Sequence, residues 1–328
     1  MASTRAKVGV LSIGEMGLGI AKLLQANNYH VYTTLIGRSP NTAKRAESAG
    51  IEVLEDDVAL VSRSDYIFSI VPPRDAVPTA ERIIAAHQDK TRGRRTDTKA
   101  EPLYYLDLNA IAPTTARHIA RELNERAPEI RFLDGGIIGP PPSPPAEEEG
   151  GSDSAWKRPS IPLSGPHSLG AAPTSGRHLF ETLNAKDLGD GIGSASGLKA
   201  SFAALTKGFT GLAIQSFSTA ARMGVLPQLQ QHLAEFSPAI GELAGRGVIG
   251  MPSKAYRWVG EMEEIGNCFR EEGGWGGGES VFGGIAEVYR FVADETGLGS
   301  LEGRRPAGEV VEGIVDGLEK RRERGGDC

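Results

Sequence analysis

The run Val8-Gly9-Val10-Leu11-Ser12-Ile13-Gly14-Glu15-Met16-Gly17 constrains this chain more than any other segment. A short apolar stretch, read as a strand over Val8–Ile13, passes through glycines straight into a helical pattern over Leu18–Asn27. The spacing is that of the dinucleotide fingerprint GxGxxG, with Ser12 where its first glycine would stand. Gly14 would let the backbone approach a pyrophosphate, and Gly17 would let helix and strand pack closely. The exposed N–H groups and the positive end of the helix dipole would then hold phosphates. Ser12, Ile13, Gly14, Glu15, Met16 and Gly17 are therefore candidate cofactor-binding residues, with the Glu15 carboxylate required to face solvent. A glycine turn of this kind also serves as a tight structural turn in α/β domains that bind nothing.

Beyond Asn27 the chain alternates between two periods. Strand-like segments at His30–Ile36, Ile51–Leu54, Asp65–Val71, Leu103–Leu108 and Ile130–Leu133 are separated by helical ones at Thr42–Ala49, Thr79–His87 and Thr114–Arg126. This rhythm predicts an α/β domain with a doubly wound parallel sheet. A proline run and then Glu147-Glu148-Glu149-Gly150-Gly151 break it, and residues 139–158 read as an inserted low-complexity loop. Pro159–Ser164 is expected to return as an edge strand, where prolines are tolerated. Beyond about Gly193 only helical patterns remain: Ser194–Met223, Leu226–Leu243, Ser253–Arg270, Val281–Asp294 and Glu309–Arg324. Two domains are expected, 1–190 and an all-helical 191–328, as 328 residues exceed one typical core.

Composition narrows the function. A net charge of −6 implies no general affinity for nucleic acid or anionic membrane, and the basic runs Arg92–Arg95 and Lys320–Arg324 read as a solvated loop and a helix end. Two cysteines, Cys268 and Cys328, form no disulfide framework, and the scattered histidines show no metal-ligand spacing. No apolar run is long enough to span a bilayer and no signal-peptide pattern precedes the first strand, so a cytoplasmic protein with a small-molecule partner is expected.

The second strand bears on which dinucleotide is bound. Sites for NAD usually end this strand with Asp or Glu, which holds the ribose hydroxyls. Here it ends Leu35-Ile36-Gly37-Arg38-Ser39. Arg38 can stack on adenine and pair with a 2′-phosphate, and Ser39 can hydrogen-bond it, which favours NADP (NADPH) over NAD. Arg38 as an ordinary exposed loop charge is the competing reading.

Further motifs resemble those of the β-hydroxyacid dehydrogenases, the superfamily of 3-hydroxyisobutyrate and 6-phosphogluconate dehydrogenases, over nearly the whole chain. Ile13-Gly14-Glu15-Met16-Gly17 looks like the cofactor loop, and Ile70-Val71-Pro72-Pro73 looks like the loop after the fourth strand, so Val71 and Pro72 would lie along the cofactor. Asp107-Leu108-Asn109-Ala110 with Pro113 after it corresponds to D-x-S-T, and Asp134-Gly135-Gly136-Ile137-Ile138-Gly139 to the substrate motif D-x-x-x-S-G. Gly193-Ser194-Ala195-Ser196-Gly197-Leu198-Lys199 looks like the interdomain motif G-x-G-x-x-x-K. Arg257 and Glu261-Met262-Glu263-Glu264-Ile265 resemble a helix of one poorly characterised branch, whose C-terminal domain is like that of phosphogluconate dehydrogenase.

The resemblance implies a Rossmann-type domain followed by an all-helical domain that commonly makes a homodimer. It implies an NADP-dependent oxidoreductase moving a hydride between nicotinamide and a carbonyl or hydroxyl carbon. Lys199 would be the catalytic proton donor or acceptor, in place of the surface role ordinary for lysine, and Asn109 would help position the substrate oxygen. Departures from the family pattern matter equally. Ala203 stands where the family has a substrate-orienting Asn, Ile138 where it has Ser, and Asn109-Ala110 where it has Ser-Thr. A small 3-hydroxy acid is thereby disfavoured. Lys207, two turns beyond Lys199, is equally a substrate contact or a structural charge. An imine reductase of the same fold and a catalytically silent NADP-binding protein remain as alternatives, and oxidative decarboxylation lacks an evident sugar-phosphate cluster.

Overall fold

The computed structural model describes residues 5–89, 101–145, 156–276, 278–300, 303 and 305–325. Arg92–Arg95, the Glu147–Gly151 stretch and Cys328 lie outside them. The chain divides into two compact units, Met1–Lys199 and Ala200–Cys328.

The first unit is an α/β domain. Its strands are β1 (Lys7–Leu11), β2 (His30–Thr34), β3 (Glu52–Leu54), β4 (Tyr66–Ser69), β5 (Leu103–Asp107), β6 (Ile130–Gly135), β7 (Ile161–Ser164) and β8 (Ala185–Asp187). Among the described residues they form one sheet in the order β3-β2-β1-β4-β5-β6-β7-β8. All neighbours are parallel except β6 and β7. Strand order reverses between β1 and β4, which makes the crevice at their carboxyl ends the topological switch point.

Helices α1 (Glu15–Ala26), α2 (Pro40–Ser48), α3 (Asp57–Arg63), α4 (Pro73–Gln88), α5 (Pro113–Arg126) and α6 (Gly176–Thr182) belong to this unit. Apolar residues are buried on both faces of the sheet: Val8, Val10, Ile20, Leu24 and Phe68 on one, Leu11, Ile67, Ile83, Tyr105 and Ile119 on the other. This double burial is why the strands read as continuous apolar runs rather than alternating ones.

The structure corrects three expectations. The strand at Pro159–Ser164 is internal, not an edge: β7 lies between β6 and β8. Pro162 is tolerated because its carbonyl still accepts from the Gly136 N–H at 3.1 Å, so that only its own missing donor is forgone. The start and end of the 139–158 loop are also not free coil. Ser143 and Lys157 exchange N–H···O bonds of 3.1 and 3.0 Å, and Pro141 and Pro142 pack on α1 where Gly19 leaves room for them. Finally α3, which the periodicity did not predict, is seven residues long and depends on an N-cap, Asp56 accepting from the Ala59 N–H at 2.8 Å.

The second unit is helical. The expected helix over Ser194–Met223 is continuous to Arg222 but carries a π turn over Ala204–Gly208, between α7 (Ser194–Ala203) and α8 (Phe209–Arg222). The Tyr289 hydroxyl donates to the Lys207 carbonyl within that turn, satisfying an acceptor that the widened turn releases. The expected Leu226–Leu243 helix is two, α9 (Leu226–Phe236) and α10 (Pro238–Gly250), because Pro238 lacks the N–H needed to continue and instead opens the second. Then come α11 (Ala255–Glu271), α12 (Phe282–Glu295) and α13 (Ala307–Gly325). Met262, Ile265, Phe282, Ile285, Tyr289 and Val292 make much of this unit's core. Among the described residues no helix is long and apolar enough to cross a membrane.

The domain boundary expected at 190/191 falls instead inside α7. The reason is local: the backbone N–H groups that begin α7 are tied to Asp134 of β6.

Candidate functional site

Three loops meet at the switch point, and side chains and backbone lace them together. The turn after β1 meets the one after β4 through Ser12 N–H donating to the Ile70 carbonyl at 3.3 Å. The β4 turn meets the β5 turn through Val71 N–H donating to Asn109 Oδ1 at 2.7 Å. Asn109 Nδ2 donates to Ser69 Oγ at 2.9 Å, and its backbone N–H to Asp107 Oδ1 at 3.0 Å. With 2% of its surface exposed, Asn109 is a bracket between loops. Its carboxamide oxygen accepts from Val71 and its Nδ2 donates to Ser69, which fixes the side chain between the β4 and β5 turns.

The two glycines of the first turn do different things. A Cβ on Gly17 would collide with the Ser12 carbonyl, so the close approach of α1 to β1 admits only glycine. A Cβ on Gly14, the N-cap of α1, would meet nothing within 4 Å. Gly14 therefore borders open space at a helix N-terminus whose first N–H groups lack a side-chain cap. Glu15 is exposed, Ser12 and Met16 half-buried, and Ile13 fully buried, so Ile13 can offer a ligand only its backbone. Val71 is buried, and Pro72 caps α4 with no N–H of its own.

At the end of β2, Gly37 takes φ +69° and turns the chain into Arg38. Ser39 caps α2, its hydroxyl accepting from Thr42 N–H at 3.4 Å and lying 3.1 Å from Thr42 Oγ1. A carboxylate does reach this strand end, from α3, where the sequence pattern showed none. Asp57 accepts from Thr34 Oγ1 at 3.0 Å. It is neutralised by a two-pronged Arg82 contact, with both N···O distances 2.9 Å. The Arg38 guanidinium makes no hydrogen bond or ion pair among the described residues, and burial and then the neighbouring Arg82 lower its pKa. An anion placed there would relieve both effects.

On the other side of β5 lie two buried carboxylates, Asp107 and Asp134, paired in register across β5 and β6. Asp134 Oδ2 accepts from the N–H groups of Gly193, Ala195 and Ser196 at 2.9, 3.1 and 3.2 Å, and from Ser164 Oγ at 2.9 Å. Its Oδ1 accepts from Ser196 Oγ at 2.5 Å. It is the N-cap of α7 supplied from a strand. The neighbouring glycine explains the rest of the motif: a Cβ on Gly136 would stand 2.9 Å from the Cβ of Lys199. The Lys199 stem thus packs over Gly136, and its ammonium donates to the Ile137 carbonyl at 2.6 Å. The end of β6 and the two residues after it, Asp134–Ile137, cap the helix, make room for the lysine and orient its head.

Among the described residues, Asp107 Oδ2 and the buried Tyr105 hydroxyl have no hydrogen-bond partner. Burial pushes the Asp107 carboxyl up to about 7, against the lowering effect of the Asn109 N–H; the Asp134 charge adds to the rise. The folded state therefore holds this proton more tightly than the unfolded chain. Stability from this group is present at low pH and is lost as pH climbs from about 4 through about 7. Asp107→Asn is expected to flatten that decline in urea midpoints measured between about pH 5 and pH 8; an undiminished slope would place its origin elsewhere.

In the helical unit, the Lys207 ammonium pairs with Glu261 and lies 5.1 Å from the centre of the Trp258 ring. Arg257 Nε is buried without a hydrogen-bond partner among the described residues.

The chain was compared with known proteins. Residues 7–92 match a family described as NADP oxidoreductase, coenzyme F420-dependent, and residues 220–292 match a domain of unknown function, DUF1932. A curated relative, an uncharacterized 28.5 kDa protein from Methanothermus fervidus, is 23% identical over 231 residues, 70% of this chain and 76% of that one. The structure of 3-hydroxyisobutyrate dehydrogenase from Salmonella typhimurium superimposes with a TM-score of 0.56 at 14% identity, covering 94% of this chain and 99% of that one. A variant imine reductase from Myxococcus stipitatus, in complex with NAD+, does so with a TM-score of 0.51 at 16% identity, covering 87% and 99%.

Proposed function

Starting from a chain with the fold of the β-hydroxyacid dehydrogenases, we propose an NADP-dependent oxidoreductase that reduces a carbonyl, or oxidises the corresponding alcohol, on a small organic molecule. The observation that carries this reading is the laced set of loops at the switch point. It borders the open space at Gly14 on one side, and on the other continues through Asp107 and Asp134 to a lysine held by its stem and head.

The residues fit the cofactor. The uncapped N–H groups that begin α1 would hold the pyrophosphate, with Gly14 leaving space for it. Arg38, unpaired among the described residues and beside Arg82, would take a 2′-phosphate together with Ser39 and Thr42 at the start of α2. When bound, the nicotinamide supplies or accepts the hydride. Lys199 gives its proton to the oxygen of the reduced carbonyl and regains one from solvent, or runs the reverse. Asn109 keeps the β4 and β5 loops in register beneath it.

Reduction of an imine is the second reading. It is favoured by Ile138 and Ala203, two apolar residues at positions where the resembled family carries hydrogen-bonding groups for a hydroxy acid. A homodimer also belongs to this proposal. Leu198, Phe202, Leu205 and Leu212, expected to bury one face of a long helix, are 44–78% exposed in the single chain and would be covered by a second copy.

The test is NADPH and NADH oxidation by the purified protein against aldehydes, keto acids, β-keto esters and cyclic imines. Turnover with NADPH on carbonyls is expected, and turnover confined to imines selects the second reading. Cofactor binding with no turnover on any of them would leave a silent binding protein. Arg38→Ala is expected to weaken NADPH binding roughly 10- to 100-fold, the worth of one charge-assisted phosphate contact, and to leave NADH binding unchanged. Equal loss for both cofactors would remove Arg38 from the 2′-phosphate site.

A further inference from the structure

At the opposite end of the parallel strands from the glycine turn, the α/β unit contains a cavity of about 570 Å³. It is walled by α5, the first residues of β6, the turn after β7 and the segment leading into α7. Arg117 and Arg121, one helical turn apart on α5, enter it from one side. Arg131 of β6 and His167 of the turn after β7 complete a basic wall. Asp190 is the one acidic side chain among the lining residues. Leu123, Phe132 and Ile192 supply an apolar floor.

This is a local inversion of charge in a chain of net charge −6. Arg131 makes no ion pair among the described residues, and Arg121 reaches only the His118 ring, with Nη2 3.0 Å from Nδ1. The Arg121 and Arg131 guanidinium groups, which have no carboxylate partner among the described residues, give this concave surface a positive potential that an anion relieves. The field is felt inside the cavity: after burial, the charge of Arg131 is what lowers the His167 pKa. The volume lies within the range of small-molecule sites and exceeds what a bare inorganic anion needs. The apolar floor requires an apolar body on the ligand.

We propose that this cavity is a binding site for an organic anion, a phosphate or carboxylate carried on a flat or aliphatic body, separate from the cofactor turn. Its far wall, Asp190–Ile192, runs directly into Gly193, whose N–H is held by Asp134 and whose α-carbon side is closed by Arg117. A ligand that draws on Arg117 therefore bears on the start of the helix that carries Lys199.

The probes are phenyl phosphate, benzoate, inorganic phosphate and the neutral benzyl alcohol. Binding is measured by calorimetry at low salt on the full chain, with NADPH present to occupy the cofactor turn. Phenyl phosphate or benzoate is expected to bind at least roughly tenfold more tightly than both benzyl alcohol and inorganic phosphate, and which of the two is tighter identifies the anionic group. The double charge reversal Arg121→Glu/Arg131→Glu, at two exposed positions, is expected to weaken that binding by roughly tenfold or more. Arg222→Glu, on the surface of the helical unit, is expected to leave it unchanged. The proposal is overturned if the aromatic anions bind no better than benzyl alcohol, if inorganic phosphate binds as well as they do, or if the double variant binds them like the wild type.

Discussion

Lys199→Met is expected to lower kcat for whichever carbonyl is turned over by roughly 10²- to 10⁴-fold, the range of a positioned general acid, while NADPH affinity is largely kept. Methionine preserves the unbranched stem that lies over Gly136 and removes only the group that donates to the Ile137 carbonyl. The helix cap at Asp134 is untouched. Lys199→Arg should not rescue the loss. The guanidinium is longer and planar, keeps its proton, and would have to leave the narrow path set by Gly136. Stopped-flow or steady-state NADPH oxidation with a parallel binding titration separates the two effects. Turnover of the methionine variant within a few-fold of wild type would remove Lys199 from the chemistry, and a matching loss of NADPH affinity would make its role structural.

The second large effect is expected at Asp134, where no substrate contact is invoked. Asp134→Ala leaves the backbone N–H groups of Gly193, Ala195 and Ser196 and the hydroxyls of Ser164 and Ser196 without this acceptor in a buried place. Each buried donor left unpaired costs about 1–3 kcal/mol, and re-pairing among the hydroxyls recovers part of it; Ser164 Oγ already accepts from Ala195 N–H at 3.0 Å. A net loss of about 3–5 kcal/mol is expected in urea unfolding, at the upper end for one substitution. Burial itself raises the Asp134 pKa, so the carboxylate is not placed there without opposition. Its hydrogen bonds are what hold it. Asp134→Asn keeps one acceptor and should lose less. Activity should fall in both variants, because a shift at the start of α7 moves Lys199. A loss below about 1 kcal/mol for the alanine variant would mean that α7 is capped by something else.

The fold was legible because its causes are local. Strand, glycine turn and helix arise from apolar runs, from Gly14 and Gly17, and from a helical period in α1 that no other segment needs to complete. The same locality located Arg38 at the end of β2 and Lys199 in the first turns of α7. Where the outcome depended on a distant partner, sequence patterns did not reach it. The π turn after Ala203 is met by a hydroxyl from Tyr289, and the internal place of β7 rests on β8, a strand of three residues with little pattern to read; α3 is the exception, for its Asp56 cap lies only three positions from the Ala59 N–H it holds.

The site divides in the same way. From the sequence alone came the residue types, the order of the elements and the glycine turn, since each depends on neighbours within a few positions. Only the tertiary structure decided what the polar groups of the motifs do. The Asn109 carboxamide meets Val71 and Ser69, 38 and 40 positions away, and so brackets two loops. Asp134 proved to be the cap of a helix that begins only at Ser194, and Asp57 arrived at β2 already neutralised by Arg82. A hydrogen bond is a relation between two groups, and a single chain position carries only one of them. Which donor faces which acceptor is set by packing the sheet and its loops together, and that is the information the linear order lacks.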